Sequence, residues 1–497
     1  MTSTSPASGK QIAKGAAWMM LFKLADKSVG LISTLILARL LTPADFGLVA
    51  MATAVVALTE LMGAFGFDTT LIQKQNTKRA HYDTAWTFNV IFGLTVALVL
   101  LVLAVPASEF YREPRLEGIL PALALGTLIA AFDNIGTVAF RKELNFRSEF
   151  RLLFLKRIAS FIVTISLAVA FRNYWALVAG IVTGKLVGVL ISYLLHPYRP
   201  RLDLSARNDL LHFSKWLFFS NLIQFMHSRS TDFILGRTVG SHGLGVFNVA
   251  TEISSLPATE LIAPLNRAVY PAYARLATRP EELTRRFIEV FGLIALIAFP
   301  VSFGIVSVAE PMVRVMLGQQ WMEAVPLIRI IALSGLVGAL QSNMYLVILA
   351  LGKPKVNTLL GSILLIFTLP TIVYASLQYG IIGAAWAHFG ISGLFGLTGI
   401  SLVFSRITQI KIKLLLNLLM RPLLSAALMA SALLMIDKWL LAGPEESMAI
   451  TRLLILVPAG AIIYLGTILS LWLLAGRPNS AEGILLKILK EKLEKRQ

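Results

Sequence analysis

Long apolar runs recur along almost the whole chain, and only short polar segments separate them. A helix needs about 20 mostly apolar residues to cross the hydrocarbon core of a bilayer. Fourteen runs have this length: 16–40, 45–68, 85–107, 117–140, 151–171, 173–196, 211–236, 243–266, 287–309, 322–350, 355–378, 380–404, 412–440 and 450–475. Inside a bilayer every backbone N–H and C=O must be paired within the chain, which a helix achieves by itself. The runs therefore predict an all-α, polytopic integral membrane protein with about 14 transmembrane helices.

Charged residues are scarce and lie between the apolar runs. They make up 14% of the 497 residues, against roughly 25% in soluble proteins, which excludes a soluble enzyme. The net charge of +18 would suit a nucleic-acid partner, but no basic face with interleaved aromatic residues is present. We therefore expect no nucleic-acid binding. The chain contains no cysteine, which excludes disulfides and thiolate metal sites.

Lysine and arginine alternate between rich and poor segments along the chain. If the N-terminus is cytoplasmic, the inner segments contain 32 of the 45 Lys and Arg residues, and the outer segments contain 6. Inner loops of membrane proteins are enriched in these residues. The distribution therefore predicts fourteen spans with both termini in the cytoplasm.

No motif for catalysis, nucleotide binding or metal binding occurs in the sequence. Each Gly-Lys pair lacks the upstream glycine and the following Ser or Thr of a phosphate-binding loop. Neither an HExxH spacing nor a nucleophile elbow is present. We therefore expect no catalytic residues, no cofactor and no metal. The remaining interpretation is a carrier driven by an ion gradient or by the gradient of its own substrate.

Two stretches repeat the same pattern at an offset of 198 residues: LARLLTPADFGLVAMA (37–52) and LGRTVGSHGLGVFNVA (235–250). At this offset the matched pairs are Arg39 with Arg237, Gly47 with Gly245, Ala52 with Ala250 and Trp18 with Trp216. Each copy predicts a helix, a short turn and a second helix. Parallel repeats of six helices are a transporter architecture with the substrate site between two lobes. We therefore expect two pseudo-symmetric six-helix lobes and two extra C-terminal helices.

The repeat and the run bounds divide the chain into four predicted parts. These are an N-terminal lobe at 1–200, a C-terminal lobe at 201–408, helices 13 and 14 at 409–478 and a basic tail at 479–497. The tail sequence AEGILLKILKEKLEKRQ is amphipathic when helical, which favours binding to the inner membrane surface. A plain solvated tail is the alternative.

The first span carries Lys23, Asp26 and Lys27 on one helical face. Ionisable groups are costly in hydrocarbon, so they usually face a cavity or a partner. Each lysine can pair with Asp26, or the two ammonium groups can bind an anion. The alternative is that the lysines reach the cytoplasmic headgroups, since Lys23 lies only about two turns into the span.

Lys185, in IVTGKLVGVL, is the most isolated charge, about twelve residues from either end of its span. This depth is too great for easy contact with the headgroups. Lys185 therefore either pairs with a carboxylate such as Asp133 or Glu60, or faces a water-filled cavity. We favour the cavity.

Polar residues also follow helical faces in the spans that the repeat matches. The candidate substrate-binding residues are Lys23, Lys27, Lys185, Arg229, Asn221, Gln224 and Asn248. The candidates for ion coupling or charge balance are Asp26, Glu60, Asp133, Asp232, Glu252 and Glu260. For any single Ser, Thr or Asn, a hydrogen bond between helices is the alternative. Together these faces predict a central hydrophilic cavity.

Three segments carry a family resemblance: KGAAW…LARLLTPADFGLVAMA, RKELNFR (141–147) and LALGKPK (349–355). They resemble the polysaccharide transport family, which is the Wzx-type flippase branch of the multidrug/oligosaccharidyl-lipid/polysaccharide (MOP) exporter superfamily. RKELNFR is most similar to exporters of the colanic-acid, xanthan and succinoglycan type. The similarity covers nearly the whole chain.

The resemblance implies a MATE-like fold and a flippase for undecaprenyl-pyrophosphate-linked oligosaccharide repeat units. Such a flippase would move them from the cytoplasmic to the periplasmic leaflet of the bacterial inner membrane, for exopolysaccharide or lipopolysaccharide biosynthesis. It would work by alternating access through a cationic central cavity. Lys23 and Lys27 occupy positions similar to basic residues in the first span of lipid II flippases. The implied partners are membrane lipids, a polysaccharide polymerase and export machinery.

Two other interpretations remain open. One is another MOP transporter, either a lipid II flippase or a drug/cation antiporter. A cationic-drug antiporter would prefer an acidic cavity, whereas several embedded charges here are basic. The other is a membrane enzyme of polysaccharide assembly, which the short outer loops disfavour.

Overall fold

A computed structural model of the chain describes residues 9–63, 66–74, 76–440, 445–478 and 481–483. Within these ranges the regular structure is helical and no strand occurs. The chain forms two compact units, Met1–Gly245 and Val246–Gln497, which we call unit 1 and unit 2. The prediction of an all-α, multi-pass membrane protein is confirmed.

Unit 1 is built from eight helices and the first part of a ninth. They are α1 (Gly9–Leu40), α2 (Pro43–Glu60), α3 (Phe67–Gln73), α4 (Arg79–Tyr111), α5 (Leu116–Ala130), α6 (Val138–Lys142), α7 (Phe146–Phe171), α8 (Trp175–Leu195) and α9 (Arg207–Pro257). Short 3-10 turns follow α2 and precede α6, at Leu61–Gly63 and Ile135–Thr137. Gly240 breaks α9 with a left-handed backbone angle φ of 74°, so that two helices meet there.

Unit 2 begins inside the second half of α9 and continues through seven more helices. They are α10 (Ala263–Leu276), α11 (Pro280–Met316), α12 (Ala324–Ala350), α13 (Pro354–His388), α14 (Gly396–Thr408), α15 (Ile412–Leu440) and α16 (Glu445–Leu474). π-helical turns occupy Ala258–Ile262 and Phe389–Phe395, and a 3-10 turn occupies Gln319–Trp321. The core lies around α11, where Phe287 and Phe291 are fully buried. The Tyr464 hydroxyl of α16 donates to the Leu296 carbonyl of α11 at 3.0 Å, which fixes α16 on this core.

Two glycine breaks separate runs that the sequence predicts as distinct spans. Gly240 lies between the runs 211–236 and 243–266, and Gly380, with φ 62°, begins the run 380–404. Among the described residues, nine helices are long and apolar enough to cross a membrane, or ten if a bent pair counts as one span. The number of fourteen spans is consistent with this and stays a prediction.

Two predicted runs are interrupted in the structure. The run 117–140 bends by 66° between α5 and the segment that ends with α6. There the Asn134 side chain accepts the Gly136 N–H and caps a new helical turn. The run 45–68 stops at the 3-10 turn after α2, and α3 restarts at Gly66, whose φ is 64°.

The first repeated stretch, residues 37–52, forms the turn between α1 and α2. Thr42 is the N-cap of α2, and its Oγ1 accepts the Asp45 N–H at 3.4 Å. Asp45 Oδ2 in return accepts the Thr42 N–H at 2.9 Å. Pro43 fills the first helical position, where no backbone donor is needed. The polar residues of this turn therefore end one helix and begin the next.

The matched glycines of the repeat, Gly47 and Gly245, lie against each other in unit 1. A Cβ atom on Gly47 would overlap the carbonyl oxygen of Ser241 and would lie 2.8 Å from the Gly245 nitrogen. A Cβ atom on Gly245 would overlap the carbonyl oxygen of Pro43. Only residues without a side chain allow this approach of two backbones. The two matched glycines are therefore in direct contact, in addition to having equivalent places in the repeat.

Glu113, in the turn after α4, reinforces the same region. Its carboxylate accepts two hydrogen bonds from Arg115, both at 2.8 Å, and one from the Ser241 hydroxyl at 3.0 Å. The bond from Arg115 is the largest cause that lowers the pKa of Glu113. A lowered pKa in the folded state stabilises the fold at neutral pH, and this contribution is lost as the pH falls through that lowered value.

A stripe of small residues on α8 packs against α7. Gly180, Gly184 and Gly188 recur every four residues, so they share one helical face. A Cβ on Gly180 would overlap Thr164 Oγ1, and a Cβ on Gly188 would lie 3.2 Å from Lys156 Cδ. Small residues at this spacing let membrane helices approach closely. The stripe therefore leaves room for the long Lys156 side chain between two packed helices.

We expect Gly47→Ala to destabilise the protein. The added methyl group overlaps the Ser241 carbonyl oxygen, which is backbone and cannot rotate away. Overpacking of this kind typically costs about 1–3 kcal/mol. The measurement is the midpoint of thermal unfolding in detergent. Gly338→Ala is the matched control, because a Cβ there meets nothing within 4 Å. Equal midpoints for the two variants would contradict the contact.

Candidate substrate-binding site

A cavity of ≈ 420 Å³ lies inside unit 1, between α2, α4, α5, α7 and α8. Five of its lining residues carry charges: Glu60, Asp68, Asp133, Arg141 and Lys156. Uncharged polar residues also line it: Asn89, Thr127, Asn134, Thr137 and Ser192. The cavity therefore offers both cations and carboxylates. The sequence predicts a cationic interior, and within this cavity the charge is mixed.

Lys185 of α8 forms an ion pair with Glu60 of α2. The Nζ atom lies 3.2 Å from Glu60 Oε1 and donates to Thr127 Oγ1 at 2.9 Å. The lysine stem passes close to Gly126 of α5, where a Cβ would lie 3.5 Å from Lys185 Cδ. Of the two predicted environments, the structure shows the carboxylate pair, with Glu60 as the partner. Because Glu60 and Thr127 both line the cavity, Lys185 lies at its border.

Asp133 lies at the bend after α5, on the wall of the cavity. The neighbouring Asn134 fixes this bend, because its side-chain amide donates to the carbonyl oxygens of His196 and Tyr198 at 3.2 and 2.8 Å. Within the described part of the chain, Asp133 Oδ1 is buried and has no hydrogen-bond partner. Of the two predicted partners, Lys185 therefore pairs with Glu60 and not with Asp133.

Arg141, at the end of α6, places a guanidinium on the cavity wall. Its Nε lies 3.0 Å from Glu149 Oε1, and its Nη2 lies 3.8 Å from Asp68 Oδ2. The next residue, Lys142, donates to the carbonyl oxygens of Leu71 and Lys74 at the end of α3. The RKELNFR element is thus a folded turn that joins α3, α6 and α7.

Lys156 of α7 is the second cation of the cavity, and the sequence-based candidates do not include it. Lys156 lies near the start of the predicted span 151–171, where a lysine that contacts the headgroups would have the same local sequence. The signal that could have found it is the glycine stripe of α8. Lys156, Ser160 and Thr164 have the same four-residue spacing as Gly188, Gly184 and Gly180, which they contact in that order.

The structure pairs Asp26 of the first span with Arg157 of α7. Arg157 Nε lies 3.1 Å from Asp26 Oδ1, and this partner from another helix is not among the predicted ones. Lys23 is exposed and Lys27 is half-buried. The carboxylate of Asp26 therefore connects the predicted cluster on the first span to α7. The role of the two lysines in substrate binding stays a prediction.

The candidates on α9 lie outside the lining of this cavity. In unit 1, Arg229 Nη1 lies 3.2 Å from Asp232 Oδ2, and Asp232 is buried. Asn221 is half-buried and Gln224 is exposed. In unit 2, the remaining three candidates lie on α9 and on the π-helical turn that follows it: Asn248 and Glu252 are half-buried, and Glu260 is exposed. The predicted central cavity between two lobes stays a prediction.

Among the residues that the structure describes, no three His, Asp or Glu side chains form a group that could hold a metal ion. Ion pairs of unit 1 connect α1 with α7, α2 with α8, and α6 with α7. Asp26, Glu60 and Lys185 lie within predicted spans, where an unpaired charge would meet hydrocarbon.

Known proteins resemble the chain along most of its length. Teichuronic acid biosynthesis protein TuaB of Bacillus subtilis is 25% identical over 470 residues, which cover 93% of this chain and 95% of that protein. Succinoglycan biosynthesis transport protein ExoT of Rhizobium meliloti is 23% identical over 465 residues, or 93% of each chain. Among solved structures, the lipid II flippase MurJ in an inward closed conformation matches with a TM-score of 0.73 at 11% identity. That match covers 91% of this chain and 99% of MurJ, and it establishes the fold.

The model of one protein family matches residues 36–326, which is more than half of the chain. Its description is "Polysaccharide biosynthesis protein". The family resemblance seen in the sequence is therefore confirmed. This chain therefore belongs to the polysaccharide biosynthesis protein family.

Proposed function

We propose that this protein is a flippase for a lipid-linked oligosaccharide that serves as a precursor in polysaccharide biosynthesis. Family membership supports a role in polysaccharide production. The name of ExoT describes a transport protein, and MurJ is named a lipid II flippase. The observation in this chain that carries the proposal is a charged cavity of ≈ 420 Å³ lined largely by membrane-length helices.

The chemistry of the cavity suits a diphosphate joined to sugars. Lys156 and Arg141 supply cations for phosphate oxygens. Glu60, Asp68 and Asp133 accept hydrogen bonds from sugar hydroxyl groups. The volume lies in the range of about 300–1,000 Å³ that is typical of small-molecule sites. It would therefore hold a part of the head group, while the lipid chain stays in the bilayer.

The proposed substrate is an undecaprenyl-pyrophosphate-linked repeat unit. The proposed direction is from the cytoplasmic to the periplasmic leaflet of a bacterial inner membrane, by alternating access. The excess of Lys and Arg in alternate loops supports this orientation, with both termini in the cytoplasm. A polysaccharide polymerase and export machinery are proposed partners, because they would use the product on the far side.

The carboxylates fall into two proposed roles. Asp26, Glu60 and Asp232 each lie in an ion pair with a lysine or arginine, which favours charge balance for these three. Asp133 has a buried carboxylate oxygen without a hydrogen-bond partner within the described residues, which favours ion coupling at this position. For Glu252 and Glu260 we propose either ion coupling or charge balance. The carrier would then exchange a proton or cation at Asp133 for movement of its substrate.

The rival functions share the fold and differ in substrate. A lipid II flippase would accept the peptidoglycan precursor, and a drug/cation antiporter would confer resistance to cationic compounds. An assembly enzyme would change the covalent structure of the oligosaccharide. The family match favours a polysaccharide precursor over each of these.

Depletion of the protein should trap the lipid-linked repeat unit in the cytoplasmic leaflet. The measurement is the fraction of labelled precursor that a membrane-impermeant glycosidase or periodate can modify in intact spheroplasts. We expect this fraction to fall several-fold while the total precursor rises. An unchanged fraction, or the same change in lipid II instead, would contradict the proposed substrate.

Lys185→Met should lower polymer export roughly tenfold or more while the protein level stays unchanged, because Glu60 loses its opposite charge beside the cavity. The double variant Lys185→Met/Glu60→Gln should regain part of the export, since it removes both charges together. Lys353→Met, a change outside the apolar runs, is the control. Wild-type export from the Lys185 single variant would exclude a role for this residue in the cavity.

Lys156→Met should abolish export if this cation binds the substrate. Gly188→Leu should give the same defect with the lysine still present, because the new side chain would occupy the place of the Lys156 stem. Gly338→Leu is the matched control, since nothing lies within 4 Å of a Cβ there. The measurements are exported polymer and the amount of protein in the membrane. Normal export from Lys156→Met would show that the substrate does not need this cation.

A further inference from the structure

A second, larger cavity lies entirely within unit 2, at one end of its helices. It is a groove of ≈ 1140 Å³, and its walls come from four places. These are the start of α11, the turn between α14 and α15 with the first turns of α15, the end of α16, and residues 481–483. Neither the proposed flippase cavity nor the sequence-based candidates include any residue of this groove.

The groove has a basic rim and an apolar floor. Arg285, Lys411 and Arg477 line it, and all three side chains belong to exposed residues. The apolar lining includes Ile288, Ile410, Leu414 and Leu418, with the indole of Trp472 beside them. Two carboxylates are also present: Glu289 is paired with Arg286 at 3.0 Å, and Glu281 lies in the first turn of α11. The lining therefore favours an amphiphilic anion over a neutral or a purely apolar molecule.

The position of the rim points to the membrane surface. Arg285 precedes the apolar run 287–309 by two residues, and Lys411 directly precedes the run 412–440. Arg477 follows the run 450–475 by two residues. Three separate spans thus place a cation at the same membrane boundary, on the side where the Lys and Arg excess predicts the cytoplasm. Tryptophan is typical of this boundary layer.

The walls of the groove are fixed by short-range contacts. Gly476 and Arg477 adopt left-handed backbone angles, φ 78° and 55°, which turn the chain back after α16. Trp472 Nε1 donates to the Pro478 carbonyl oxygen at 3.1 Å. The buried Glu482 pairs with Arg421 of α15 at 3.3 Å. A left-handed angle is unfavourable for arginine, and surrounding structure must hold it in place.

We propose that this groove is a binding site for an anionic phospholipid of the cytoplasmic leaflet. The phosphate of the head group would lie among Arg285, Lys411 and Arg477, and an acyl chain would follow the apolar floor beside Trp472. Basic pockets between membrane helices on the cytoplasmic side bind anionic head groups in this way. Charge complementarity and the alignment with the membrane boundary select a lipid over a soluble anion. The site is distinct from the flippase cavity and does not depend on the identity of its substrate.

The test uses the full-length protein in a neutral detergent, titrated with phosphatidylglycerol and analysed by native mass spectrometry. We expect the wild-type protein to retain phosphatidylglycerol over phosphatidylcholine. The variant Arg285→Gln/Lys411→Gln/Arg477→Gln should weaken this retention about tenfold or more. The control Arg275→Gln/Lys353→Gln/Lys355→Gln removes the same charge from inner segments outside the groove, and it should bind like the wild type.

A second measurement tests the proposed position of the acyl chain beside Trp472. Phosphatidylglycerol with brominated acyl chains should quench tryptophan fluorescence, and Trp472→Phe should remove a distinct part of this quenching. Unquenched Trp472 at saturating lipid would overturn the proposed acyl position.

Three outcomes would overturn the site itself. Equal lipid retention by the groove variant and its control would mean that general charge attraction accounts for binding. Full competition by glycerol phosphate at equal concentration would assign the groove to a soluble anion. Lipid retention that appears only after removal of residues 484–497 would mean that the basic tail, and not a lipid, occupies the groove in the intact protein.

Discussion

A charge inside a bilayer must meet an opposite charge or water, and unit 1 is organised by this requirement. Its membrane-length helices carry Asp26, Glu60 and Lys185, none of which hydrocarbon would tolerate alone. Each of these residues pairs with a residue of another helix. The pairs Asp26–Arg157 and Glu60–Lys185 therefore also determine which helices lie side by side. Glu60 also lines the cavity of ≈ 420 Å³, together with neighbouring charged and polar groups.

Small residues make that arrangement possible. The glycines of α8 let α7 approach so closely that Lys156 passes between two helices and reaches the cavity wall. Gly47 and Gly245 allow two backbones to touch at the matched turns of the repeat. Membrane helices gain little from apolar burial against each other, because lipid is equally apolar. Close backbone packing and ion pairs therefore supply much of the specificity in this fold.

Mixed charge has a functional meaning for the proposed flippase. A cavity with cations alone would hold a diphosphate tightly and would release it slowly. Paired carboxylates compensate the cations when the cavity is empty, and they provide acceptors for sugar hydroxyl groups. Alternating access requires both capture and release, so a balanced site suits the proposed cycle. The proposed phospholipid groove of unit 2 does not require such a balance, because a structural lipid stays bound and is not released in each cycle.

The fold class and the family follow from the sequence alone, because apolar run length and local motifs indicate them. The breaks at Gly240 and Gly380 lie where the runs predict turns. Tertiary structure alone decided the partners: Arg157 for Asp26, Glu60 over Asp133 for Lys185, and the place of Lys156 in the cavity. A lysine at the end of a span has the same local sequence whether it faces headgroups or a cavity. The difference depends on which residues of another helix lie opposite, and no local pattern in the chain contains that information.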